Sequence, residues 1–209
     1  MKIALYIISI CCIIIILDVY SHKYNTPNSN LHKEKYIDVS RFQTLLNSKY
    51  PIAVRTIHDQ LPKFFSDSNV LPKPSYIKSL LSPLNISSHI EYIQPDNLIR
   101  TTYNNKTFII QTSGESLIWL FHPSQTSLLY TDTKENGHKI SNIQIKHPKM
   151  NEMYPLFKHS SYSEIKLKQY MFLSIPNNWS YCIYSHEGNS SPILITSNTI
   201  GSILHFLLQ

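Results

Sequence analysis

From residue 98 onward the chain alternates short apolar runs with turn residues. The runs are TFIIQ (107–111), SLIWLF (116–121), ISNIQIK (140–146), YMFLSI (170–175), YCIYS (181–185) and PILITS (192–197). Each is rich in β-branched and aromatic residues, and no helical period separates them. Such spacing predicts the strands of a sandwich or barrel. Upstream, IDVSRFQTLL (37–46) and PSYIKSLLSPL (74–84) carry apolar residues at helical spacing, and Pro74 suits a first helical turn. Between them PIAVRTI (51–57) reads as a short strand. The tail, IGSILHFLLQ (200–209), predicts a closing helix or strand.

The N-terminus follows another pattern. One lysine precedes an apolar run from Ile3 to Leu17, about 22 Å long as a helix. A bilayer core is about 30 Å thick; extension through Val19 and Tyr20 with tilt or local thinning makes a span feasible. No small-x-small cleavage site follows Leu17, so residues 1–20 are expected to be an uncleaved signal-anchor rather than a cleaved signal peptide. The polar stretch 21–35 reads as a linker, and 36–209 as one folded domain. The expected location is a single-pass membrane protein whose domain faces the lumen, the outside or a virion. On that route Asn85, Asn105, Asn178 and Asn189 each begin an N-glycan acceptor sequon.

Composition changes this picture little. With 209 residues, 42% of them hydrophobic, the chain is long enough for one sizeable core. The formal net charge is +6, but the basic residues are dispersed and not interleaved with aromatics, which argues against a nucleic-acid partner. Only Cys182 of the three cysteines lies in the domain, so no disulfide forms within it.

Three fragments carry a family resemblance: QTSGESLIWLFHPSQTSLLY (111–130), HPKMNEMYPLF (147–157) and LKQYMFLSIPNNWSYCI (167–183), with PIAVRT (51–56) ahead of them. In order and spacing they resemble the cupin-like and JmjC-type double-stranded β-helix proteins, in layout the group of the asparaginyl hydroxylase acting on hypoxia-inducible factor. Gln111, Gly114, Pro123, Pro176 and Trp179 are the positions that match the motif. The resemblance implies a mainly β fold: a double-stranded β-helix, or jelly roll, with flanking N-terminal helices.

Active members hold Fe(II) with two histidines and a carboxylate, leaving positions open for 2-oxoglutarate and oxygen. Where the family places its His-x-acid pair, this chain has Thr101-Thr102-Tyr103. The third ligand falls on Tyr181, and the lysine that pairs with 2-oxoglutarate falls on Ser116. Tyr103, Tyr181 and Trp179 are therefore expected to fill an emptied pocket by packing. His122, His138, His147, His159 and His186 read as loop or strand-end residues, and Cys182 as an inert buried thiol.

No G-x-S-x-G elbow, phosphate-cradling glycine loop or H-E-x-x-H motif occurs. The expectation is thus a membrane-anchored cupin-like domain without catalysis or cofactor, serving as a binding or structural module for a protein or peptide partner. The alternative is an Fe(II)- and 2-oxoglutarate-dependent hydroxylase with unconventional ligands. A cleft that binds a small ligand or peptide without turnover is a third reading.

Overall fold

The computed structural model describes residues 2–24, 31–35, 37, 41, 44–46, 50–55, 85–104, 106–133, 139–143, 145, 149–184, 190–199 and 203. The predicted helix at 74–84, nearly all of the tail, and His138, His147, His186, Asn105 and Asn189 lie outside these residues.

The domain is mainly β, built from two six-stranded sheets. Its strands are β1 (His32–Glu34), β2 (Ile52–Val54), β3 (Asn85–Tyr92), β4 (Ile99–Thr101), β5 (Lys106–Ser113), β6 (Glu115–Phe121), β7 (Thr131–Thr133), β8 (Lys139–Ser141), β9 (Ser163–Lys168), β10 (Phe172–Ile175), β11 (Ser180–Tyr184) and β12 (Ser191–Thr199). The first sheet runs β1-β2-β10-β5-β12-β3 and the second β7-β8-β4-β11-β6-β9. All pairings are antiparallel except that of β1 with β2. Eight strands form a nested set in which β12 lies between β3 and β5, and β11 between β4 and β6. The chain passes back and forth between the sheets as this set is laid down, which is the two-sheet plan of a jelly roll.

Side-chain alternation explains why both faces of these strands are apolar. On β5, Phe108 and Ile110 point outward and pack with Ile52, Val54, Phe172, Ile193 and Ile195. Ile109 points inward, where it meets Leu173, Leu194 and, from the second sheet, Ile118, Leu120, Ile165 and Ile183. A strand buried on both sides reads as a continuous apolar run, which is what TFIIQ shows. Ile37, Leu45, Leu46 and Tyr50 cover the outer face of the first sheet. Phe121, Cys182 and Ile99 on the outer face of the second are covered by Leu129, Ile143 and Phe157. Each fully buried aliphatic side chain contributes about 1.5–3 kcal/mol, so the strands of both sheets are held from two directions.

Most expected strands are found, with shifted ends. The expected strand at 140–146 stops at Ser141, whose Oγ donates to Leu129 O and accepts the Ile143 amide at 3.0 Å, turning the chain out of the sheet. The expected start of β10 at Tyr170 is a turn instead: Tyr170 has φ 64° and donates its amide to Gln111 O at 2.8 Å. Of the helix predicted at 37–46, Arg41 and residues 44–46 are helical, while Ile37 is a buried bridge residue. Strands β3, β4, β7 and β9 are additions to the sequence reading. So is β1, which lies within the 21–35 stretch and pairs His32–Glu34 with Ile52–Val54.

At the N-terminus, helix α1 covers Lys2–Tyr24. Its described side chains Ile8, Ile10, Ile13, Ile16 and Leu17 are exposed. Among the described residues no helix is long and apolar enough to cross a membrane; several side chains of α1, those at 3–5, 7 and 18 included, lie outside the description.

Candidate functional site

The site begins with a turn. After β10 the chain reads Pro176-Asn177-Asn178-Trp179 before entering β11, and Asn178 takes φ 65°, a left-handed conformation that asparagine tolerates better than most residues. Thr102, just past β4, holds this turn. Its hydroxyl donates to Pro176 O at 2.7 Å and lies 3.1 Å from Trp179 O, its amide donates to Trp179 O at 2.8 Å, and its carbonyl accepts from Asn178 N at 2.7 Å. Trp179 is buried beneath, with the His122 ring edge-on at 5.2 Å. Its indole Nε1 has no hydrogen-bond partner, so Trp179 contributes volume rather than a polar contact.

This clamp sets Ser180 opposite Thr101 and Tyr181 opposite Arg100. The Thr101 and Ser180 hydroxyls bond at 2.9 Å on the outer face of the pair, leaving Tyr181 and Arg100 on the inner face. A second local device orients Arg100. The Asp96 carboxylate accepts the Leu98 amide at 3.1 Å, closing an Asx turn into β4, and receives the guanidinium of Arg100 through both oxygens. Burial opposes ionisation of Asp96, but the Arg100 hydrogen bonds, the Leu98 amide and the Arg100 charge together hold its carboxyl below the usual range.

These residues open on a cleft of about 860 Å³ between the β3–β12 side of the first sheet and the β4–β8 side of the second. Thr101, Thr102, Tyr103 and Tyr181 line it, so three of the sequence-predicted metal positions do come together. The inward residue that faces Tyr181 from β4, however, is Arg100, a position the motif passes over. Burial pushes the Tyr181 phenol up to about 12, with Arg100 opposing and Glu91 and Asp96 adding to the shift. Burial does the same for Tyr103, also to about 12, against a hydrogen bond from Thr101. At neutral pH both phenols therefore stay protonated and act as neutral hydrogen-bonding groups.

Ser116, the expected cosubstrate position, does not line the cleft. Its hydroxyl is 2.8 Å from Gln111 Oε1 and bonds Ser190 Oγ, while Gln111 Nε2 reaches Ser190 Oγ at 2.9 Å. Gln111 and Ser116 thus form a sealed polar network between the sheets. Gly114, with φ 66°, carries the chain from β5 in one sheet to β6 in the other, a passage that suits a residue without Cβ. Pro123 opens a 3-10 turn, Pro123–Leu128, capped by His122, whose Nδ1 accepts the Ser124 amide at 3.2 Å. Cys182 is buried, and burial pushes its thiol up to about 12, which keeps it unreactive.

The cleft also holds His89 and Glu91, which face inward from β3, 3.4 Å apart. His89-Ile90-Glu91 is a His-x-Glu pattern plainly present in the sequence, but it lies upstream of the register fixed by Gly114. Among the described residues no group of three His, Cys, Asp or Glu side chains could hold a metal ion.

No protein-family model matches the chain, and no curated protein does. Solved structures with some likeness include hydroquinone 1,2-dioxygenase from Sphingomonas sp. TTNP3 with 4-hydroxybenzoate bound, at 13% identity and a TM-score of 0.34, the match covering 54% of this chain and 60% of that one. Hydroquinone 1,2-dioxygenase PnpCD in complex with Cd2+ and 4-hydroxybenzonitrile is similar at the same identity and TM-score, over 55% of this chain and 60% of that one. The chain thus spans less than two thirds of these proteins' lengths.

Two substitutions check this geometry. Thr102→Val strands the Pro176 carbonyl while the backbone bond from residue 102 to Trp179 O remains, and a loss of about 1–3 kcal/mol is expected in urea unfolding; an unchanged midpoint would show that the turn holds without the hydroxyl. Asp96→Asn tests the ion pair through pH. Because the folded carboxyl titrates below the unfolded one, folding favours its ionised form, so its contribution is present above the ordinary value of 3.8 and lost as pH falls through and below it. Asp96 is 35% exposed and partly screened, so the wild type should lose less than about 1 kcal/mol more than the variant on acidification.

Proposed function

We propose that the chain is a cupin-type, double-stranded β-helix domain that binds a ligand or partner in the cleft without catalysis, tethered to a membrane by α1. The observation that carries this reading is the pairing of Tyr181 with Arg100. Where the resembled family brings a histidine and its partner ligands together, this chain has a buried phenol facing a guanidinium already engaged by Asp96. A guanidinium has no lone pair to give a metal, and the carboxylate beside it is already engaged. The motif positions support the same kinship: Gln111 and Gly114 mark the β5–β6 passage, and Pro176 and Trp179 mark the β10–β11 turn, as the family pattern requires.

A second reading rests on His89 and Glu91. They offer a His-x-Glu pair to the cleft, from β3 rather than from β4, and an Fe(II)- and 2-oxoglutarate-dependent hydroxylase built on unconventional ligands would start from them. Purified full-length protein, loaded anaerobically with Fe(II), separates the two. The binding module is expected to retain substoichiometric iron and to form no succinate from 2-oxoglutarate. Stoichiometric iron with succinate formation would establish the hydroxylase.

The tether is supported by reach and composition. The apolar run Ile3–Leu17 covers about 22 Å of α1, against about 30 Å for a bilayer core, so the tether uses extension through Tyr20 with local thinning, and the described isoleucines of the run that lie on the surface are unpartnered by the domain core. A helix apolar all round belongs in a core or a bilayer. The full chain is expected to stay with membranes through alkaline carbonate washing and to need detergent for release; recovery in the wash would remove the anchor from the proposal.

A further inference from the structure

The chemistry of the cleft narrows what it takes, an inference that rests on the binding-module reading. Two of its features are not used by the fold. Thr107 lines the cleft from β5, is 1% exposed, and its Oγ1 has no hydrogen-bond partner. Leaving a buried hydroxyl unsatisfied costs about 1–3 kcal/mol, and such groups call for a partner beyond the chain's own atoms. Lys139 lines the opposite side from β8, with its ammonium 5.7 Å from the centre of the Tyr103 ring and no acid paired with it among the described residues.

The other ionisable groups there have neighbours within the chain: Arg100 bonds Asp96, and the Glu91 carboxylate lies 3.4 Å from the His89 ring. A ligand therefore meets one uncommitted cation amid donors and acceptors held in fixed orientation. The amides of Asn104 and Asn198 and the hydroxyl of Thr196 add to these, and the phenol rings of Tyr103 and Tyr181 supply apolar surface. An apolar ligand would strand this polar lining, and a dianion would leave one charge uncompensated. A compact body bearing hydroxyls on several sides and a single negative charge satisfies both conditions. At about 860 Å³ the cleft lies within the usual range for small-molecule sites.

We propose that the cleft binds an acidic saccharide unit, a sugar ring bearing one carboxylate, with the carboxylate at Lys139 and a hydroxyl directed to Thr107. The test is calorimetry and thermal shift on the full chain in detergent, using N-acetylneuraminate and glucuronate, with glucose and 2-oxoglutarate for comparison. At least one acidic sugar is expected to bind saturably, and glucose about tenfold more weakly. Lys139→Met should abolish that preference. Thr107→Val should weaken binding roughly fivefold without lowering the melting temperature, since it removes an unpartnered hydroxyl and keeps the side chain's shape. Absence of saturable binding by either acidic sugar, or binding that both substitutions leave unchanged, overturns the proposal. If no sugar binds and no succinate forms, only the ligand assignment fails. Succinate formation with stoichiometric iron overturns the binding-module reading beneath it.

Discussion

The hydrogen bonds between Thr102 and the Pro176–Trp179 turn decide what the cleft contains. They join the segment after β4 to the entry of β11 and so fix which residues of these strands stand opposite each other. In a strand pair a slip of one residue moves every side chain to the other face. With the observed register, Arg100 and Tyr181 face inward and Thr101 and Ser180 outward. The clamp is affordable in conformational terms because Asn178 accepts the left-handed backbone the turn demands. Trp179 then plugs the space beneath the turn, which is why a tryptophan is useful there although its Nε1 has no partner.

The core behind the clamp explains how a polar cleft can persist at one end of the sandwich. The layer between the sheets is aliphatic around Ile109, Leu120, Leu173 and Ile183, and further apolar layers cover both outer faces. With the sheets held from three levels, β3, β4 and β8 can line the opening with charged and hydroxylated side chains. The partly buried charges there, Asp96 and Arg100, are paired locally, which limits the desolvation cost of keeping them near the sheets.

The strongly apolar parts of this fold were legible in the sequence. TFIIQ, YCIYS and PILITS announce β5, β11 and β12 because those strands are largely buried on both faces, and SLIWLF announces β6, whose outer face is half-buried at Leu117 and Trp119. Strand β9, Ser163–Lys168, escaped notice although its inward Ile165 and Leu167 alternate with exposed charges; two apolar residues among Glu and Lys make a weak signal. Strand β3 was hidden for a related reason. It ends its sheet, and an edge strand facing a polar cleft can carry Ser, His and Glu where a central strand would need Ile or Val. The parity of β4 could not be read from the motif. Spacing from Gly114 led to Thr101 and Tyr103, but a tight turn and a local Asx turn, not loop length, set which of three consecutive side chains looks inward.

The same parity bears on how the mouth between the two sheets keeps its shape. A carboxylate held at that mouth, such as Asp96, needs a positive charge beside it. A guanidinium supplies the positive charge permanently and forms two directed hydrogen bonds to one carboxylate, so the Asp96–Arg100 pair gives β4 a fixed position with no metal bound. Nearby, among the described residues, the Lys139 ammonium has no paired acid and the buried Thr107 hydroxyl no acceptor. The Asp96–Arg100 pair and the side chains of Thr107 and Lys139 are thus separate sets, so the two can be altered separately.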